Sequence, residues 1–159
     1  MAGEMKMKNI LLILVVSLTF CVLGAQAQTT VSDADKAAIT QTALDYIEGW
    51  YEGNAEQMER ALHPDLAKRI VRVSPDNNKF NRLDQMSALT LVQGVKRGGG
   101  KQTPKEKQQK DVTILDVFEN AASIKIVASD WIDYLHVAKF NGRWVIINVL
   151  WELKPGKNS

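Results

Sequence analysis

The stretch 131-WIDYLHVAKFNGRWVIINVLWEL-153 decides the fold. Asn141-Gly142 stands near its middle. That dipeptide suits a two-residue type I′ turn, because both central positions need positive φ. On either side the residues read as strands, so Trp131 to Phe140 and Arg143 to Leu153 form an antiparallel hairpin. By simple alternation Trp144, Ile146 and Leu150 point one way, and Val145, Ile147, Val149 and Trp151 the other. Both sides are apolar, so the last strand is expected to be covered on both faces.

Upstream of the hairpin the period of two continues. Val112, Ile114 and Val117 mark one strand, Glu119-Asn120 a turn, Ile124 and Ile126 the next strand, and Ser129-Asp130 its end. Residues 94–110 hold three consecutive glycines, Pro104 and many charges, and read as a loop.

Nearer the N-terminus the period changes to 3.6. Ile39, Ala43, Tyr46, Ile47 and Trp50 share one helical face across Ser32 to Tyr51. Ser32 is a natural N-cap with Asp33 and Asp35 behind it, and Gly53 ends the helix. Asn54 with Gln57 has the shape of a capping box and opens a second helix, with Met58 and Leu62 on its apolar face and Pro64 as its stop. Ala67 to Val73 leans towards a strand, and Ser74-Pro75-Asp76-Asn77 towards a turn. Leu83 to Val92 reads as a third, weaker helix with Met86 and Leu89 facing inward. The expected architecture is α+β, with N-terminal helices packed on one face of an antiparallel meander of four strands. No segment remains to cover the other face, so a homodimer through the outer sheet face is expected.

Composition agrees with one globular domain. The chain has 159 residues, 45% hydrophobic and 24% charged, with a formal net charge of +2. Fibrous and disordered classes are excluded on those values. The single cysteine excludes a disulfide framework and a thiolate zinc site.

The first 27 residues read as a secretory leader. Lys6 and Lys8 precede an apolar run from Ile10 to Leu23, and Ala25-Gln26-Ala27 supplies small residues for cleavage after Ala27. The run is shorter than the roughly 20 residues a membrane span needs, which weakens an uncleaved anchor. Cys21 raises a lipidation site, but Phe20 puts a bulky ring where a small residue belongs. Cleavage leaves a single domain over residues 28–159, with 18 basic and 17 acidic side chains and no cysteine. The expectation is a periplasmic or secreted protein, with no membrane attachment once the leader is removed.

Two segments carry a family resemblance. Asp45-Tyr46-Ile47-Glu48-Gly49-Trp50-Tyr51-Glu52-Gly53-Asn54-Ala55, then Met58 and Leu62-His63-Pro64-Asp65-Leu66-Ala67-Lys68-Arg69, form the front. Ala122-Ser123-Ile124-Lys125, Trp131-Ile132-Asp133-Tyr134-Leu135-His136 and Asn141 to Trp151 form the back. Together they resemble the "putative lumazine-binding" proteins of the nuclear-transport-factor-like superfamily, which includes SnoaL-like and ketosteroid isomerase-like members. The resemblance spans about residues 35–153. It implies a cone-shaped curved sheet round a deep pocket, commonly in a dimer. It does not assign a function, because members of the superfamily differ in chemistry.

Several residues could serve such a pocket. His63 reads as the end of the second helix, where its neutral-range pKa would suit a general base. Its ordinary explanation is to complement the helix dipole. Asp133 is a second candidate base. Asp133 and its neighbour Tyr134 point to opposite faces, so at most one of them lines the pocket. Asn148 and Glu152 would share a face with Trp144 and Ile146, which makes Asn148 either a pocket donor or a structural one. Trp50, Trp131 and Trp144 could wall a flat ligand or simply fill a core. Tyr46, Tyr134 or Asn148 could steady an oxyanion.

Other chemistries are not supported. Residues 94–103 lack phosphate-loop spacing. Residues 94–110 carry six basic groups against one acid but no aromatic for base stacking, so a solvated loop or pocket lid is expected rather than a nucleic-acid site. Two histidines without a carboxylate cluster give no metal site, and no cofactor is expected. Two functions remain: an exported domain binding a small, mostly apolar or aromatic molecule, or a cofactor-free isomerase, dehydratase or cyclase using His63 or Asp133 as base. A purely interacting protein that uses the outer sheet is a third.

Overall fold

A computed structural model describes residues 31–72 and 81–157. The expected leader with cleavage after Ala27, and the expected turn at Ser74 to Asn77, lie outside the described residues. Helix α1 spans Asp33–Glu52, and its start is capped as the sequence implies: the Ser32 hydroxyl accepts from the Asp35 N–H at 3.0 Å. It ends at Gly53, whose φ of 67° places it in the left-handed region that glycine enters without steric cost. Helix α2, Ala55–Ala61, begins on Asn54, whose side chain accepts from the Gln57 N–H. The Gln57 amide does not complete the capping box; it reaches Asp45 on α1 instead. Gly49 permits the close crossing of the two helices, because a Cβ there would lie 2.8 Å from the Met58 nitrogen.

Strand β1, Leu62–Arg72, follows α2 with no intervening loop. This corrects the expected helix end at His63, which lies within the strand. Strand β2, Arg82–Ser87, pairs antiparallel with β1. Helix α3, Ala88–Lys96, then starts on a Ser87 cap. The expected helix over Leu83 to Val92 is therefore half strand. Pairing with β1 holds residues 82–87 extended, and the Ser87 hydroxyl supplies the acceptor that lets a helix begin only afterwards. Met86 is partly buried as expected, but Leu89 is exposed and Leu91, Val92 and Val95 form the buried face.

A short 3₁₀ turn at Lys105–Lys107 leads into β3 (Lys110–Phe118), β4 (Ala121–Ala128), β5 (Trp131–Phe140) and β6 (Arg143–Leu153). Asn141 and Gly142 have φ of 50° and 77°, as a type I′ turn requires. The four strands form the expected antiparallel meander, and β1 and β2 extend it to a curved, open sheet of six in the order β2-β1-β6-β5-β4-β3. The β1–β6 pair is parallel. Long-range pairing of this kind leaves no local signature. The helices pack on one face, burying Ile39, Ile47, Met58, Ile124, Ile126, Leu135 and Ile146 completely or almost so.

The register between β5 and β6 slips between the His136–Asn148 and Val137–Ile146 pairs, leaving Ile147 as an extra residue. Such a β-bulge reverses the alternation beyond it. Trp144, Ile146, Val149 and Trp151 consequently belong to the helix-facing core side. Asn148, Leu150 and Glu152 turn outward, which corrects the expected grouping of Leu150, Asn148 and Glu152 with Trp144 and Ile146. Among the described residues, no helix is long and apolar enough to cross a membrane.

Candidate functional site

A partly open cavity of about 440 Å³ lies between the helices and the sheet. Helix α1 contributes Tyr46 and Trp50, one helical turn apart, and α2 contributes Met58. Strands β1, β2, β5 and β6 contribute Lys68, Met86, Trp131 and Trp151. Leu91 of α3, Gly99, Asp130 and Leu153 complete the lining. Trp50 and Trp131 meet edge to face, with ring centroids 6.3 Å apart at 87°. The glycine loop presses on this wall: a Cβ on Gly99 would lie 2.5 Å from the Trp50 ring, and one on Gly100 would lie 2.1 Å from the Trp50 carbonyl oxygen. Only hydrogen at those positions lets the loop close over Trp50, and Gly100 is buried there while Gly99 stays exposed on its other side.

Beneath the cavity lies a buried polar cluster. Lys68 follows Leu66 and precedes Ile70 on the inner face of β1, so alternation carries its ammonium into the cone. There it donates to Asp133 Oδ1 at 2.5 Å and to the Tyr46 hydroxyl at 2.6 Å. Trp131, two residues before Asp133 on the same face of β5, donates its indole N–H to Asp133 Oδ2 at 2.7 Å. Tyr46 donates to the same oxygen at 3.3 Å. The Lys68 ammonium also lies 4.8 Å from the Trp151 ring centroid, 5.3 Å from that of Tyr46 and 5.8 Å from that of Trp131.

Burial sets the electrostatics. Loss of solvent lowers the Lys68 pKa, opposed by the charge and hydrogen bond of Asp133. Burial first, and the Asp133 charge second, push the Tyr46 phenol well above its usual range. Tyr46 is thus a neutral donor, and both Asp133 oxygens are occupied by donors from the protein.

The structure divides the sequence-derived candidates. Tyr46, Trp50 and Trp131 line the cavity, and Asp133 lies fully buried in the cluster beneath it. Tyr134 points to the outer face, with Lys125 over its ring. Trp144 is buried away from the cavity lining and donates its indole N–H to Asp35 at 2.8 Å. Asn148 lies on the outer face, where it accepts from Arg69 at 2.8 Å and faces His136 at 3.3 Å. His63 is also outside the cavity lining; its Nδ1 accepts from the Asp65 N–H, and its ring packs against Phe140. Sequence reasoning missed Lys68 and Trp151. The signal for Lys68 was an ammonium flanked by apolar residues at alternate positions of a strand. Trp151 was hidden by the bulge at Ile147, which sends it inward.

The family model described as "Putative lumazine-binding" matches residues 34–152. No curated protein matches the chain. Solved structures share its fold at low identity. An NTF2-like protein of unknown function from Shewanella baltica OS155 is 20% identical, with a TM-score of 0.60 over 80% of this chain and 100% of that one. One from Methylobacillus flagellatus KT is 21% identical, with a TM-score of 0.58 over 79% and 96%. An NTF2-like protein with a cystatin-like fold from Novosphingobium aromaticivorans is 9% identical, with a TM-score of 0.55 over 78% and 84%.

Proposed function

This chain belongs to the "putative lumazine-binding" family of NTF2-like folds, and from that premise we propose that it is an exported domain that holds a small aromatic molecule inside its cone. The observation that carries this reading is the cavity itself. Tyr46, Trp50, Trp131 and Trp151 line it, and at its floor Lys68, Tyr46, Trp131 and Asp133 hydrogen-bond to one another. A volume of about 440 Å³ lies within the range of ligand pockets, and aromatic walls with few fixed polar groups are their usual make-up.

The alternative, a cofactor-free isomerase, dehydratase or cyclase, finds less support in the geometry. Catalysis by proton transfer needs a base within reach of a bound substrate. His63 is not part of the cavity lining, and the oxygens of Asp133 already accept from Lys68, Tyr46 and Trp131.

Export is supported by the leader-like pattern of residues 1–27, with Lys6 and Lys8 before the apolar run Ile10 to Leu23. A homodimer through the outer sheet face is supported by Tyr134 and Leu150, which are register partners on β5 and β6 and are each about half exposed. Native mass spectrometry of the protein from its own host, before and after denaturation, tests the reading. The expected result is two leader-free chains carrying a small molecule that denaturation releases. A protein that carries nothing and gives no calorimetric signal with planar aromatic compounds overturns it.

A further inference from the structure

Lys68 is the one amine among the residues that line the cavity. Its ammonium lies 4.8, 5.3 and 5.8 Å from the ring centroids of Trp151, Tyr46 and Trp131, all of them lining residues. The nitrogen, and not only the alkyl stem, therefore sits among the lining side chains. Two of its three N–H groups donate to Asp133 and Tyr46, and the third has no hydrogen-bond partner among the described residues. Two other charged groups lie nearby. Asp130, also in the lining, pairs with Lys157 at 2.7 Å. Arg72 stands over the Trp151 ring at 5.4 Å, and a guanidinium stays protonated. Neither offers an amine to a bound molecule.

The surroundings suit this nitrogen to reaction with a carbonyl group. Loss of solvent favours the neutral, nucleophilic form of a lysine. Asp133 Oδ1, 2.5 Å away, is placed to take the proton. Condensation with an aldehyde gives a protonated imine, which carries the same single positive charge as the ammonium it replaces. Asp133 therefore stays paired, and no charge is stranded in the dry interior. Tyr46 and Trp131 hold the other carboxylate oxygen. The rings of Trp50 and Trp131 and the thioethers of Met58 and Met86 supply walls against which a planar body packs.

We propose that Lys68 captures an aromatic aldehyde in the cavity as a protonated imine, with Asp133 as its counter-ion. The ammonium first gives a proton to Asp133. The nitrogen lone pair then adds to the carbonyl carbon, and a proton passes from nitrogen to the former carbonyl oxygen, giving a neutral carbinolamine. Asp133 returns its proton to that hydroxyl, which leaves as water while the nitrogen lone pair forms the C=N bond. The balance is ammonium plus aldehyde to iminium plus water, with nothing oxidised or reduced. The inference rests on the cavity being a ligand site, and its test separates the two ideas.

Two probes of one shape decide it: 2-naphthaldehyde and the unreactive 2-naphthylmethanol. The wild-type protein is treated with one equivalent of the aldehyde and with cyanoborohydride at neutral pH. The reductant converts the imine to a stable naphthylmethyl amine, and peptide mass spectrometry locates the labelled lysine. Binding of the alcohol is measured separately by calorimetry. The expected result is label at Lys68 exceeding that at exposed Lys105 or Lys107 by about tenfold or more, because the cavity holds the carbonyl beside the nitrogen. Excess alcohol should remove this preference. Label confined to exposed lysines, with the alcohol bound, overturns the imine and leaves the ligand site standing. Label at Lys68 that the alcohol does not compete away overturns capture through the cavity. No label at Lys68 and no binding of the alcohol overturns the ligand site and the inference with it. These measurements use the wild-type protein alone, so they decide the matter even if Lys68 variants do not fold.

Discussion

Lys68 and Asp133, 65 residues apart in the chain, meet at 2.5 Å in the interior of the cone, and they join β1 to β5 across the intervening β6. Each is the other's ion-pair partner at that depth, so each keeps the other's burial tolerable. Breaking such a pair by removing one member typically costs about 3–5 kcal/mol, because the remaining charge is stranded. Lys68→Met is expected to destabilise the protein by about that amount in urea unfolding. Lys68→Met combined with Asp133→Asn should recover at least half of the loss, since the amide still accepts from Tyr46 or Trp131. Strictly additive losses in the double variant would show that the pair is not coupled.

A second prediction concerns acid. The Lys139 hydrogen bond, then those of Trp144 and Ser32, lower the Asp35 pKa to about 2. A carboxyl with a folded-state pKa below its unfolded value stabilises the fold above the unfolded value, and loses that contribution as pH falls through the folded one. Stability should therefore decline between about pH 4 and pH 2 as the N-terminal end of α1 comes away from the β5–β6 hairpin. Tryptophan fluorescence during acid titration reads this, because Trp144 is one of the partners. Asp35→Asn should flatten the change within that window. An unchanged acid profile would contradict the assignment.

The glycine loop gives a third. Gly100 packs against the Trp50 backbone so closely that a methyl group has no room, and the obstructing atoms are main chain rather than a flexible tip. Gly100→Ala should lift Gly99 and Gly100 from Trp50 and open the cavity wall to water. Destabilisation of about 1–3 kcal/mol, the scale of overpacking, is expected together with a red-shifted tryptophan emission. An emission spectrum and unfolding midpoint equal to wild type would mean that the loop does not close the wall.

The outer face supplies a fourth. Tyr134 and Leu150 are cross-strand partners there, and Ile147 is exposed beside them at the bulge. If this face joins two copies, Leu150→Lys places an ammonium in the apolar patch of both. Sedimentation should give twice the chain mass for wild type at micromolar concentration, and the single-chain mass for the variant. A wild-type monomer ends the dimer reading.

Some of the architecture was legible because its causes are local. Ser32, Asn54 and Gly53 act on backbone groups within a few residues, so the bounds of α1 and the start of α2 can be read from composition alone. Asn141-Gly142 likewise sets the turn between β5 and β6 by its own φ preferences. The strands of the meander followed from period-two alternation. Residues 82–87 were misread because their pattern fits a short helix equally well, and only pairing with β1 chooses between the two.

The sequence by itself therefore determined the fold class, the helix caps and the hairpin, since each depends on interactions that close within one or two turns of chain. The tertiary structure alone decided the parallel pairing of β1 with β6, the bulge at Ile147 and the meeting of Lys68, Tyr46 and Asp133. Those features arise between residues tens of positions apart. A one-residue slip in register turns Trp151 inward and Asn148 outward, and no local preference encodes it. Whether Asp133 was solvated or paired depended in the same way on which strand delivered a cation to it.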